Sequence, residues 1–341
     1  MHIYRLSERK NEQSDFDSII AAQEEIAFRT NLFSFEPMRK GKRMKVVMAK
    51  QELEIGSRYL GDLRDSSNIM HEPADLRDRM QEDGYLLLRG LHDPDRVQAV
   101  RDMILRNLAE NDQTDTSFPL EEGRVKAGAR GAFLGGSKAL TRNQTFLDLV
   151  ESPRLMDFFA HFLRSDVLTF DYKWLRVVGP GDFTGAHYDV VYMGRGTHNL
   201  YTCWTPITDV SYDMGPLALL AGSHRGPGYE RVKATYGQMD VDRDHVTGAF
   251  SNDPLEMVEK FGGQWQTTEF KMGDAVIFGM FTMHGSLTNV SSRYRLSCDT
   301  RYQRADEPVD ERWIGENPPA HYAWTKGETV PMEEARKQWA V

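Results

Sequence analysis

A mainly β fold with its helices gathered on the N-terminal side, an α+β architecture, is what this sequence predicts. Three observations point there. Helical periodicity and capping signals are concentrated before Asp166. After Asp166, short strand-like runs succeed one another, divided by turns such as Gly179-Pro180-Gly181, Asp213-Met214-Gly215-Pro216 and Met272-Gly273-Asp274. Many short strands punctuated in this way build a sandwich or a barrel. An apolar fraction of 40% with 11% aromatic residues supplies a sizeable core and argues against disorder.

In chain order, residues 1–73 come first. They are polar and mixed and are expected to pack as an extension on the strand domain. Within them, Ser14 to about Phe33 reads as a helix capped by Asp15 or Asp17, with Ile19, Ile20 and Ile26 on its apolar side. The basic run Arg39, Lys40, Lys42, Arg43, Lys45 reads as a solvated loop. Ala74–Asp83 is a helix ended by Gly84, and Tyr85–Arg89 a buried strand. Asp93 caps a second helix that Pro94 opens and that runs to about Asn111. Residues 112–142 are irregular and Gly-rich, a length that marks a functional loop. A helix over roughly Asn143–Leu163 precedes the strands.

The strand runs are Val167–Asp171, Trp174–Val178, His187–Met193, Leu200–Ile207, Ala218–Leu220, Thr267–Lys271, Ala275–Met280, His284–Val290 and Tyr294–Tyr302. The tail carries Trp313, Trp324 and Trp339, so residues 313–341 are expected to pack on the strand domain rather than hang free.

Bulk properties exclude several function classes. A formal net charge of -9 argues against a nucleic-acid surface. Two cysteines, Cys203 and Cys298, are too few for a disulfide framework, and both lie in apolar runs that suggest burial. No apolar signal core begins the chain and no window is long enough to span a bilayer. A cytoplasmic protein is the expectation, with its oligomeric state open.

Chemistry concentrates in three places. In Gly185-Ala186-His187-Tyr188-Asp189, strand alternation would put His187 and Asp189 on one face. His284 comes after the apolar run Ala275–Phe278. Arg295 lies eleven residues beyond His284, and alternation places Arg295, Ser297, Asp299 and Arg301 together. A charged residue inside a barrel is costly unless paired, and a resident dicarboxylate would pair it. Two histidines and a carboxylate make the facial triad of non-haem Fe(II) oxygenases.

With these residues in place, the sequence resembles the phytanoyl-CoA dioxygenase family of Fe(II)/2-oxoglutarate oxygenases. The resemblance spans roughly residues 74–312. It rests on Gln81–Leu86, the His187-x-Asp189 pair, Gly215-Pro216-Leu217 through Gly222-Ser223-His224, and His284 with Arg295. It implies a double-stranded β-helix, a cupin-like jelly-roll barrel, with helices packed outside. It implies that His187, Asp189 and His284 bind Fe(II) and that Arg295 holds the far carboxylate of 2-oxoglutarate. Trp204 and Ser286 match positions of the cofactor pocket, and Ser297 joins them on the face of Arg295. The reaction implied is oxidation of a small molecule with O₂, most simply hydroxylation, releasing succinate and CO₂. Substrates in the family are diverse, so the resemblance does not name one.

Other residues carry weaker signals. If Trp174 and Arg176 face inward, Arg176 meets the substrate; in the opposite register Lys173 does. Arg195, Arg124 and Arg130, each beside a glycine in a loop, read as solvated surface charges, with substrate contact as the alternative; arginines near the mouth would suit an anionic substrate group. His224 reads as a turn histidine, and His161, His198 and His321 as solvated or core residues without partners. Asp240, Asp242 and Asp244 alternate like a calcium loop, but His245 and Ser251 occupy the positions that need glycine and an acid, so a solvated loop is expected. Two other functions compete: a non-oxidative barrel, either a zinc hydrolase or lyase or a metabolite-binding cupin, and an inactive scaffold. Asp189 argues against a halogenase, which needs a small residue there.

Overall fold

The computed structural model describes residues 2–6, 44–322 and 329–341. The helix expected over Ser14–Phe33, most of the basic run before Lys45, and Trp324 lie outside the described residues. Among those described, fourteen strands occur in the order β1 His2–Tyr4, β2 Lys45–Met48, β3 Gln51–Glu54, β4 Leu60–Asp62, β5 Tyr85–Leu88, β6 Ala132–Phe133, β7 Val167–Thr169, β8 Trp174–Val178, β9 Leu200–Pro206, β10 Leu217–Ala221, β11 Gln264–Thr267, β12 Ala275–Gly279, β13 His284–Ser286 and β14 Arg295–Arg304.

The strands form a larger sheet in the order β1-β7-β14-β9-β12-β5, with β8 on β14 and β6 on β8, and a smaller sheet β13-β10-β11-β4. A separate hairpin joins β2 to β3. The long strand β14 is the hub: β9 pairs along one edge, while β8 and then β7 pair along the other. Between the two sheets, Trp204, Val276 and Phe278 pack with Leu217 and Leu219. The other face of the larger sheet is covered by helices. Leu76 and Met80 of Pro73–Asp83 and Leu155 and Phe159 of Pro153–Leu163 lie against Leu86, Cys203, Ile277 and Tyr302. Val97, Val100 and Ile104 of Pro94–Glu110 cluster with Leu175, Val177, Leu296 and Cys298. Alternate residues of β14 thus face a helix layer on one side and the space between the sheets on the other.

The local signals explain these helices. Gly84 ends the first at φ 80°, the left-handed conformation glycine adopts freely. The Asp93 side chain accepts the Asp95 amide, and Pro94 sits where a helix amide has no partner to lose.

Several expectations are corrected. The helix expected over Asn143–Leu163 is two, Gln144–Val150 and Pro153–Leu163. Pro153 cannot donate inside a continuous helix, and Ser152 caps the second one instead. His187–Met193 is not a strand. His187 makes a single bridge, and Val190–Met193 is one helical turn. The strand placed at Thr267–Lys271 ends at Thr267 and begins at Gln264, and it buries Trp265 and Thr267. Residues 44–70 hold three strands, of which β4 pairs in parallel with β11.

The loop around Asp240 is not solvated. Asp242 and Asp310 are fully buried by side chain, and Arg312 contacts Asp242 at 2.5 Å, Asp310 at 2.6 Å and Asp240 at 3.5 Å. His321 is not partnerless either, since its Nδ1 lies 2.8 Å from Asp242. Arg312 lies far along the chain from Asp240 and Asp242, so local pattern could not reveal the cluster. In the described part of the tail, Trp313 is buried beside Tyr172 and Trp174, and Trp339 lies near Tyr236. Among the described residues no helix is long and apolar enough to cross a membrane.

Candidate metal centre

His187 and His284 are opposed in an antiparallel bridge between the strand-like segment at Ala186 and the start of β13. β13 is held in turn by β10, with Leu219 opposite His284. Beyond His187 the chain turns at Asp189, which has φ −67° and ψ −28°, into Val190–Met193. That turn, not strand alternation, brings the Asp189 carboxylate back toward the two imidazoles.

The three side chains converge. Asp189 Oδ1 lies 3.8 Å from His187 Nε2 and 3.7 Å from His284 Nε2, and one donor atom from each residue falls within 4.8 Å of the others. His187 Nδ1 donates to Gly185 O and His284 Nδ1 to Thr282 O, each at 2.9 Å. A carbonyl can only accept, so each ring carries its proton on Nδ1 and turns an unprotonated Nε2 inward. Burial, helped by the neighbouring His284, pushes the His187 pKa down to about 3. Burial also lowers that of His284, against the pull of Asp189. Burial alone would raise Asp189. Arg301, His284, His187 and the Thr202 hydroxyl outweigh it and hold the carboxyl well below the usual range. Two neutral imidazoles and one carboxylate, all buried, are the donor set a divalent cation with open positions needs. The residues present therefore fit an Fe(II) ion.

A second cluster adjoins the first. Arg295, Ser297, Asp299 and Arg301 project between the sheets from β14, as alternation predicts, and all are buried. Arg295 donates to Ser297 Oγ at 2.6 Å, while its buried Nε has no partner. Its guanidinium lies 5.9 Å from the Trp204 ring. Burial and the nearby Arg176 charge push its pKa down to about 10. A buried guanidinium with an orphaned donor calls for an anion.

The register of β8 is also decided. Trp174 and Arg176 face inward and Leu175 outward, and Arg176 Nε donates to Asp299 at 2.6 Å. Lys173 points the other way. It is 1% exposed and is consumed by Glu151 and Thr169, each at 2.9 Å. Arg195 is engaged by Asp240 and Tyr322 and is not part of the histidine cluster. Ser286 accepts the Thr184 amide and so ties β13 to the segment that leads into His187. Two site residues carried no sequence signal. Thr202 contacts Asp189 from β9. The Tyr192 ring stands edge-on to His187 at 5.5 Å. The only available hint for Thr202 was its even spacing from Trp204 on one strand.

The family model for phytanoyl-CoA dioxygenase matches residues 80–297. The chain is 25% identical over 260 residues to 1-deoxypentalenic acid 11-beta-hydroxylase of Streptomyces exfoliatus, covering 72% of this chain and 86% of that protein. It is 26% identical over 269 residues to ectoine dioxygenase of Bordetella bronchiseptica, covering 73% and 82%. Among solved structures, EctD from S. alaskensis with 2-oxoglutarate and 5-hydroxyectoine superposes with a TM-score of 0.49 at 17% identity, covering 88% of this chain and 99% of that one. HygX from Streptomyces hygroscopicus with nickel and 2-oxoglutarate gives 0.48 at 15% identity, covering 76% and 97%. With the family model spanning more than half its length, the chain belongs to the phytanoyl-CoA dioxygenase family of Fe(II)/2-oxoglutarate-dependent oxygenases.

Proposed function

We propose that this chain hydroxylates a small molecule, with one Fe(II) held by His187, Asp189 and His284 and with 2-oxoglutarate and O₂ as co-substrates. The observation that carries this reading is the juxtaposition of the His-Asp-His donor set with a buried arginine, Arg295, whose Nε lacks a partner. Two facing sheets with helices outside one of them support a jelly-roll, double-stranded β-helix architecture. In this reading the oxygenase unit runs over residues 74–312, with the described parts of 1–73 and 313–341 packed against it.

When bound, the iron supplies O₂ activation, coupled to decarboxylation of 2-oxoglutarate to succinate and CO₂, and so the oxidising power for hydroxylation. The chain's own residues do the rest. Arg295 pairs with the remote carboxylate of 2-oxoglutarate through its planar fork, with Ser297 orienting the fork and Trp204 walling the pocket. His187 and His284 are each only 6% exposed, so bulk water is kept from the ligand face. Arg176 is more exposed than Arg295, its side chain 30% exposed and its guanidinium 5.6 Å over the Phe133 ring. It faces the substrate and favours an anionic group there. Lys173 and Arg195 are left out of substrate binding by position: Lys173 points away from the space between the sheets to Glu151, and Arg195 sits at Asp240 and Tyr322, outside the histidine cluster.

Relatives named for 1-deoxypentalenic acid and for ectoine support a small-molecule substrate. Buried free thiols at Cys203 and Cys298 accord with a reducing cytoplasm. A zinc hydrolase or lyase is not favoured, because the family is one of dioxygenases. The test is an anaerobic titration of the Fe(II) protein with 2-oxoglutarate, following the visible charge-transfer band of a chelated keto acid. No band at saturating 2-oxoglutarate overturns the proposal.

A further inference from the structure

Asp189 offers its two oxygens to different partners. Oδ1 faces the two histidine Nε2 atoms at 3.8 and 3.7 Å. Oδ2 is turned away and accepts from Thr202 Oγ1 at 2.5 Å and from Arg301 Nη2 at 3.2 Å. Thr202 and Arg301 stand directly opposite each other on β9 and β14, so two neighbouring strands supply one clamp. Arg301 is itself immobilised. It is 1% exposed, lies 4.4 Å over the Trp174 ring and places Nε 3.2 Å from Met193 Sδ.

We propose that Arg301 and Thr202 are positioning residues that fix the denticity of Asp189, holding Oδ2 so that the metal is offered Oδ1 alone. This rests on the Fe(II)/2-oxoglutarate reading. A six-coordinate ion with three protein donors keeps three positions; a chelating keto acid takes two and O₂ the third. A carboxylate free to swing onto the ion with both oxygens takes one of those three. A charge-assisted bond to Oδ2 is about twice as strong as a neutral one, so the clamp resists that swing. By charge alone an arginine this close works against cation binding. Its benefit to the site therefore lies in how the carboxylate is presented. Neither residue touches the metal in this scheme.

Arg301→Met keeps volume and removes the donor; Thr202→Val does the same for the hydroxyl. The first probe is Co(II) alone, followed by its visible absorption and by X-ray absorption for coordination number. The second is 2-oxoglutarate added anaerobically to the Fe(II) protein. Arg301→Met is expected to hold Co(II) at least as tightly as the parent, with a higher oxygen count around the metal, and to bind 2-oxoglutarate about tenfold or more weakly. Arg301→Lys should restore part of that affinity. Thr202→Val should move the same way and carries the test if Arg301→Met does not fold. Joint loss of Co(II) and 2-oxoglutarate, or 2-oxoglutarate affinity unchanged in both variants, overturns the clamp. A parent that binds Co(II) but gives no 2-oxoglutarate band defeats the co-substrate reading instead. The clamp is then judged on the Co(II) coordination number, and an unchanged number overturns it.

Discussion

His187 and His284 exchange both backbone hydrogen bonds, at 2.9 and 3.1 Å, so the spacing of the two imidazoles is set by main chain rather than by their own contacts. The approach is possible because Gly285 comes next after His284. A Cβ there would stand 2.7 Å from the Thr184 carbonyl oxygen, a backbone atom that cannot move aside cheaply. Gly285→Ala should part the two segments, lowering Co(II) affinity about tenfold and stability by roughly 1–3 kcal/mol. Metal titration and thermal melts would read both. Parental values for both would show that the close approach does not set the histidine pair.

Removing a donor should do more than misplace one. His284→Ala and His187→Ala leave a two-residue site and should lose both Fe(II) binding and activity. Asp189→Gly removes the anionic donor of the triad and should stop hydroxylation. Iron content and succinate release are the measurements. Hydroxylation by Asp189→Gly at the parental rate would mean that another carboxylate is the ligand.

The legible parts of this site were those written in local pattern. Alternation along β14 correctly put Arg295, Ser297, Asp299 and Arg301 on one face, because both faces of that strand are covered and the pattern has only two phases. The His187-x-Asp189 pair was found by residue type, but the alternation argument for it does not hold: Asp189 is in the helical region, and the convergence comes from a turn. Thr202 was silent because a single hydroxyl in an apolar strand looks like any other. The loop of Asp240 and Asp242 was misread as solvated because its partner Arg312 meets it only in three dimensions. The break at Ser152-Pro153 was written in the sequence, and the capping serine before a proline is the signal that marks it.

Titration away from the metal should show in stability. His92 is buried with Nε2 2.9 Å from Thr205 Oγ1, and its buried Nδ1 has no partner. Burial pushes its pKa down to about 3. The native state therefore holds it neutral, while the unfolded chain protonates it below its ordinary pKa of 6.5. Its contribution is complete above pH 6.5 and is lost as pH falls toward 3, by up to roughly 1.4 kcal/mol per pH unit. His92→Phe should flatten the fall in urea stability between neutral and mildly acidic pH. An unchanged slope would assign the acid sensitivity to other groups.

The buried cluster at Arg312 joins the segment after β14 to the helical region around Asp240. Its guanidinium is matched by three carboxylates, Asp240, Asp242 and Asp310. Arg312→Met strips the guanidinium from Asp242 and Asp310 while Asp240 keeps Arg195, which should cost about 3–5 kcal/mol. Denaturant melts read the loss. Because none of these groups is a proposed ligand, the folded variant should still bind Co(II). Loss of metal binding in a folded Arg312→Met would mean that the cluster supports the site through Tyr192, which packs against both His187 and His321.

Arg295 separates co-substrate binding from metal binding. It and Arg176 are both inward-facing on adjacent strands, with Arg295 opposite Val178 and Arg176 opposite Ser297. Of these two, Arg295 has a buried Nε without a partner among the described residues, whereas Arg176 is already tied to Asp299. An incoming dicarboxylate therefore gains most at Arg295. Losing one partner of a buried charge pair costs roughly 3–5 kcal/mol, so Arg295→Ala should weaken 2-oxoglutarate by about two orders of magnitude or more. Fe(II) should stay bound, since Arg295 is not a ligand. Arg176→Gln should leave the 2-oxoglutarate band in place and instead reduce turnover of an anionic substrate. If Arg295→Ala titrates like the parent while Arg176→Gln loses the band, the two arginines have exchanged roles, and the remote carboxylate lies on the β8 side of the cavity.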